Sequence, residues 1–302
     1  MEQEKTDRLE AFKQIYRTKY VQLMLIPSVI VLLAIVYLVI FYAQHGDIMN
    51  KDVSLKGGIT ATLYTQEEAH RLILEKELPS RVKEVNIRTI AEFGSTKQTG
   101  IIIETSETDE KLLTSAIEEL TSFALTEDNF SIEAMGSSLG NSFYQQMIRA
   151  LILAFIGMAI VVFFAFKSVA PSLAVIEAAF CDILVTLAIV DIFGMKVSTA
   201  GIAAFLLLIG YSVDTDILLT TRLLRRSEGR VIDRVFTSMK TGLAMTSTTF
   251  ITMVIGLLLT TSPVIEEIFT IILIGLIVDV IMTYLMNGPI LLIYLKRKGV
   301  EI

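Results

Sequence analysis

The chain has 302 residues, 53% of them hydrophobic and 19% charged, with a formal net charge of −6. A mean hydropathy of +0.64 excludes an ordinary soluble domain and points to a polytopic membrane protein. The acidic balance, with no Lys/Arg-rich tract, argues against nucleic acid as a partner. One cysteine, Cys181, and two distant histidines, His45 and His70, exclude an intrachain disulfide and leave metal or cofactor chemistry without a ligand set.

In chain order, residues 1–20 read as a cytoplasmic N-terminal segment and 21–42 as a first transmembrane helix. That apolar run is longer than a signal-peptide core and has no clear cleavage site after it, so it reads as a retained anchor. Residues 43–140 have soluble composition and are followed by a short lead-in to 149. Residues 141–295 hold five further spans, near Ala150–Phe166, Ser172–Asp191, Ser198–Leu219, Leu243–Leu259 and Ile268–Leu295, and 296–302 form a tail. The last span carries Met286–Pro289, "MNGP", where a kink or an end is expected. Basic residues cluster in the N-terminal segment, at Lys167, in the loop 222–240 (Arg222, Arg225, Arg226, Arg230, Arg234, Lys240) and in the tail, whereas the opposite short connections hold only Lys196. The positive-inside rule therefore places both termini in the cytoplasm and 43–149 outside it.

Within the insert, Ser54–Thr65 alternates as a strand, Gln66–Leu78 has helical spacing up to Pro79, and Arg81–Phe93 and Thr99–Glu107 alternate again. Thr108–Leu125 opens with an N-cap and an acidic turn, and Phe130–Met135 closes as a short strand. The order β-α-β-β-α-β predicts a ferredoxin-like α+β domain, with helices on one face of the sheet and the other face open for docking or serving as a passive cap.

Five carboxylates lie inside the spans: Glu177, Asp182, Asp214, Asp216 and Asp279. Asp191 sits at a helix end, where water is expected to reach it. A carboxylate in hydrocarbon costs about 2.5–3.5 kcal/mol on insertion scales. Three accounts stand: protonated acids acting as interhelical glue, a relay or cation site charged for part of a cycle, or a fourth span that ends early. Asp214 and Asp216, two residues apart, face about 200° away from each other. Asp214 shares a stripe with Gly210 and Tyr211 suited to a helix contact and is the preferred functional residue. In the fifth span Thr241, Thr248 and Thr252 share a face from which hydroxyls could meet a carboxylate.

On "GYSVDTDILLTTRLLRR" (Gly210–Arg226), the chain resembles the SecF branch, of archaeal type, of the SecD/SecF protein-export family, which is related to the resistance-nodulation-division (RND) transporters. "SLKGGITATLY", with Gly57 and Gly58, is similar to the Gly-Gly strand that opens the family's external domains. "MGSSLGNSF", with Gly136 and Gly140, and "MTSTTF" (Met245–Phe250) match the segments leading into the second and fifth spans. The resemblance covers the chain from about residue 20 onward. It implies six helices forming half of an RND-like pseudo-symmetric unit, completed by a SecD-like subunit and assisting a SecY-type channel in moving a translocating polypeptide across the cytoplasmic membrane. It also implies a fourth-span aspartate in a proton pathway. This sequence departs from the bacterial pattern in having Thr215 at the aspartate position and Gly242 where an arginine stands, with Lys240 two residues earlier. The export role follows from the resemblance more directly than proton conduction does.

Two other classes compete with this reading. An independent transporter of lipids or small molecules would need a homo-oligomer, because the chain holds no second six-span copy. An intramembrane aspartyl protease needs Tyr-Asp and Gly-x-Gly-Asp in adjacent spans, and neither is present; no covalent chemistry is expected.

Overall fold

The computed structural model describes residues 2–91, 98–225, 229–260 and 262–301. Arg226 and Phe93, both used above, lie outside the described residues.

Among the described residues, six helices are long and apolar enough to cross a membrane: Lys13–His45, Ser137–Phe166, Val169–Ile192, Thr199–Arg225, Val231–Leu259 and Pro263–Arg297. The first joins the latter part of α1 (Glu2–Leu23), which is interrupted at the non-helical Lys19, to α2 (Leu25–His45). The others are α6 (Ser137–Phe166), α7 (Val169–Ile192), α8 (Thr199–Arg225) and α9 (Val231–Leu259). The sixth is α10 (Pro263–Met282), a π turn (Thr283–Asn287) and α11 (Gly288–Arg297). Most run past the apolar stretches that announced them, because hydropathy marks only the segment in hydrocarbon while a helix continues into polar sequence until a breaker stops it. Thus α9 begins twelve residues before Leu243, and its first turns bury Val231, Ile232 and Val235. "MNGP" does not end the helix: the chain widens into the π turn and continues as α11, with Leu291 and Leu292 fully buried.

The core of the bundle is α7, α8 and α10. In α8 the buried positions Ile202, Phe205, Ile209, Ser212, Asp216, Leu219 and Leu223 recur at three- and four-residue intervals, the stripe of a helix with one side packed. Gly275 of α10 gives Leu208 room that a Cβ would occupy, so these two helices approach closely.

Between α2 and α6 lies a small α+β unit. A short helix α3 (Val53–Lys56) precedes β1 (Gly58–Leu63), followed by α4 (Glu68–Glu77), β2 (Asn86–Ala91), β3 (Gln98–Thr105), α5 (Glu110–Thr121) and β4 (Phe130–Met135). The sheet order is β2-β3-β1-β4, with every neighbouring pair antiparallel. Ala61 of β1 lies opposite both Ile103 and Ile132. Ile59, Ala61, Leu63, Ile101 and Ile103 point to one face and pack on Leu74, Leu78, Leu113 and Ile117 of the two helices. Asp109 caps α5, its Oδ1 accepting from Lys111 N at 3.0 Å and Leu112 N at 3.3 Å.

The first strand is shorter than the alternation predicts. Residues 54–56 form α3 instead, closed by Lys56 N donating to Asp52 O at 2.9 Å and Gly57 N to Val53 O at 2.8 Å. Gly57, at φ +86°, then turns the chain into the sheet. A Cβ on Gly57 would run into the Ser137 backbone, and one on Gly140 would lie 2.7 Å from Gly57 N. The two strands of chain that connect the α+β unit to the bundle therefore touch backbone to backbone, with Leu55 buried beside them. The loop before α3 is also tied to the α7–α8 connection, Val197 N donating to Asn50 O at 2.6 Å and Asp52 N to Val197 O at 3.0 Å.

Candidate functional site

Three helices bring three carboxylates together in the middle of the bundle. Asp182 comes from α7, Asp216 from α8 and Asp279 from α10; the first two are completely buried and Asp279 is 1% exposed. The cluster is built from i, i+3 and i+4 spacings. Ser212, Thr215 and Asp216 lie on one side of α8, and Asp279, Thr283 and Asn287 follow one another at intervals of four.

Ser212 Oγ donates to Asp182 Oδ2. Thr215 Oγ1 lies 3.1 Å from both oxygens of Asp279, and Thr283 Oγ1 lies 3.2 Å from Asp279 Oδ1. Asp216 Oδ1 accepts from Thr283 Oγ1 at 2.9 Å and from Asn287 Nδ2 at 2.7 Å. The partners are hydroxyls and one carboxamide rather than cations. The remaining oxygens, Asp182 Oδ1 and Asp216 Oδ2, have no partner among the described residues. Three carboxyl groups in one water-poor space, without a counter-cation, cannot all be ionised together. The arrangement can therefore hold a proton on one of its carboxyl oxygens.

The π turn makes the Asp216 contacts possible. Pro289 has no N–H, so the ladder is interrupted at its position, and Gly288 N instead reaches back five residues to Thr283 O. In the widened turn Thr283 and Asn287 come onto the same side and both bond Asp216.

The other candidates lie elsewhere. Asp214 is exposed on the outer side of α8 together with Gly210, around which a Cβ would meet nothing within 4 Å. Tyr211 is half-buried against the outer core of the bundle. Glu177 is exposed on α7 between the exposed Leu173 and Phe180. Thr248 and Thr252 do not meet a carboxylate among the described residues: both are exposed, and their hydroxyls donate to Met245 O at 2.7 Å and Thr248 O at 2.9 Å of their own helix. This is the usual fate of a helical threonine with no polar neighbour in reach. Asp191 is not open to water; it is 4% exposed, and its Oδ1 accepts from Asn50 N at 3.0 Å. Gly58 starts β1 against Thr105 O, and Gly136 precedes α6 in open space.

Sequence reasoning named the three clustered aspartates among five. It did not name Ser212, Thr283 or Asn287, and met Thr215 only as a departure from a family pattern. The signal that could have found them is the four-residue spacing of polar residues along otherwise apolar helices, at 212–216 and 279–283–287.

A second polar site lies where the sheet faces the bundle. Its face away from α4 and α5 is not open: with the ends of α8 and α10 it encloses a cavity of about 370 Å³ lined by Asp52, Thr60, Arg88, Glu104, Glu133 and Glu267, among others. Glu267 holds the start of α8, its Oε1 accepting from Ser198 N at 2.8 Å and its Oε2 from Ser198 Oγ at 2.7 Å. Glu104 is bonded by Arg88 and by Asn86 Nδ2 at 2.9 Å, with Lys196 Nζ 3.8 Å away. Burial, and then the charge of Glu104, push the Asp52 carboxyl above its ordinary value.

Comparison with known proteins gives a consistent result. The family model described as protein export membrane protein SecD/SecF, C-terminal, matches residues 116–297. The protein-export membrane protein SecF of Pyrococcus furiosus is 34% identical over 285 residues, covering 93% of each chain. That of Thermococcus gammatolerans is 35% identical over 279 residues, 91% of this chain and 85% of its own. Among solved structures, SecDF in its super-membrane-facing form superposes with a TM-score of 0.63 at 18% identity, over 94% of this chain and 39% of that one. The chain thus spans about two fifths of SecDF's length, and that likeness is one of fold.

Proposed function

The chain belongs to the SecD/SecF family of protein-export membrane proteins, and from that premise we propose how its parts divide the work. It is a non-enzymatic accessory subunit for protein export in the membrane. In our reading it is completed by a SecD-like subunit into an RND-like unit beside a SecY-type channel. Both termini lie in the cytoplasm, and the α+β unit, ferredoxin-like in its strand order, lies on the outer side, where it meets the translocating polypeptide.

One observation carries this reading: α8 has two polar faces with opposite surroundings. Asp216 is enclosed and bonded by the chain itself, whereas Asp214 and Gly210 stand on a bare outer face that water or lipid would cover in the isolated chain. A bare carboxylate in a span is costly, so that face is assigned to the partner, with the threonine face of α9 (Thr248, Thr252) beside it. The enclosed cluster is assigned the proton-holding role. A change in the protonation of Asp216 alters its bonds to Thr283 and Asn287, just past the C-terminal end of α10. Near the other end, Glu267 holds Ser198 under the sheet, twelve residues or about 18 Å from Asp279 along α10. That helix offers a route from the cluster to the outer unit.

The test is Asp214→Asn and Asp216→Asn made separately, scored on export of a secreted reporter and on co-purification from native membrane. Asp216→Asn should lose most of its export while retaining the partner. Asp214→Asn should weaken co-purification first. Normal export and normal association by both variants would defeat the assignment.

A further inference from the structure

The π turn that aims Thr283 and Asn287 at Asp216 leaves one backbone acceptor to be explained. In a helix the carbonyl of Tyr284 would accept from the N–H of residue 288 or, in a wide turn, of residue 289. The Gly288 N–H is used by Thr283 O, and Pro289 has none. A buried carbonyl without a donor is costly. The donor is supplied from 268 residues away in sequence: Tyr16 Oη of α1 donates to Tyr284 O at 2.7 Å. Tyr16 is 2% exposed, and its ring packs edge-on against Phe236 with centroids 5.8 Å apart. Gly288 is what admits the hydroxyl, since a Cβ there would lie 2.5 Å from Tyr16 Oη. Further along α1, Lys13 pairs with Asp233 of α9 at 3.0 Å.

We propose that Tyr16 is a positioning residue for the carboxylate cluster: its hydroxyl replaces the N–H that Pro289 lacks and locks the π turn in the register that presents Thr283 and Asn287 to Asp216. The N-terminal helix is thereby a working part of the membrane site and not only an anchor. This rests on the proton-holding role proposed above for the cluster, although the locking of the turn can be measured without it.

The proposal makes a specific demand on two residues jointly. Tyr16→Phe keeps the ring and removes the hydroxyl; Pro289→Ala restores an N–H that can reach Tyr284 O. With the full chain and its native partners, Tyr16→Phe should lower reporter export about tenfold, the order expected when a buried carbonyl loses a hydrogen bond. Whatever Pro289→Ala costs by itself, Tyr16→Phe should add no further loss in that background, so the double variant should match Pro289→Ala alone. A role of Tyr16 in ring packing or general folding would not be relieved by an N–H at 289. Where Asp216→Asn impairs export, wild-type export by Tyr16→Phe, or the same fold loss in both backgrounds, overturns the proposal. If Tyr16→Phe fails to accumulate, recovery of accumulation by Pro289→Ala supports the lock and failure to recover overturns it. Thermal unfolding of the purified chain separates this inference from the role of the cluster. Coupling of 16 and 289 in Tm, alongside export unaffected by Asp216→Asn, keeps the lock and removes the proton-holding role. Absence of coupling in Tm removes the lock whatever the export result.

Discussion

The spans divide into two sets. In the apolar 18-residue stretch that marks each span, 56%, 56% and 50% of the residues are buried for the spans of α7, α8 and α10, against 11%, 6% and 6% for those of α2, α6 and α9. All six are apolar, so hydropathy alone does not tell them apart. What separates them is what their polar residues do. On α7, α8 and α10 the acids Asp182, Asp216 and Asp279 point inward and find hydroxyls of a neighbouring helix, while on α9 the hydroxyls of Thr248 and Thr252 fold back onto their own carbonyls. A polar side chain in a span thus has two fates, bonding across a helix pair or satisfying itself locally. Only the first ties helices together.

The contrast can be broken at its strongest point with Asp216→Leu. Removing the carboxylate leaves Thr283 Oγ1 and Asn287 Nδ2 without their Asp216 partner, a loss of about 2–4 kcal/mol, read as a lower Tm of the purified chain in detergent. Asp214→Leu, two residues away on the bare face, should change the same Tm little, within about 0.5 kcal/mol. Equal losses would erase the distinction between the two faces of α8.

At the joint between the α+β unit and the bundle an intermediate effect is expected. Gly140→Ala places a methyl against the Gly57 backbone, where a flexible side chain cannot yield, and should cost about 1–3 kcal/mol. Limited proteolysis of the connections at 46–57 and 135–140 checks it, because a loosened joint is cut faster. An unchanged cleavage rate would mean that the backbone contact holds nothing.

The smallest effect belongs to the outer set. Thr248→Val loses only a bond to its own helix, so the isolated chain should keep its stability within about 0.5 kcal/mol. A larger loss of Tm would show that the α9 hydroxyls already bond across helices within one chain.

How much was legible follows the same division. The six spans and the strand order could be read because hydropathy and period-two alternation are local properties. The strand at Phe130–Met135 was placed at its observed bounds, and the first strand came out too long because nothing local distinguishes Ser54–Lys56 from the alternation that follows. Asp182, Asp216 and Asp279 were marked because a carboxylate in an apolar run stands out. Thr283 and Asn287 did not, because neutral polar residues near a helix end are unremarkable until a neighbouring helix needs them.

The sequence by itself determined the membrane class, the number of spans, the acids within them and the family resemblance, since each of these is written in contiguous residues. Only the tertiary structure decided which face of α8 is enclosed, that residues 182, 216 and 279 share one space, and that Tyr16 completes a turn 268 residues away. Those outcomes depend on helix rotation and on where a proline leaves a carbonyl unpaired, and such needs are met by whichever donor the packed chain brings near.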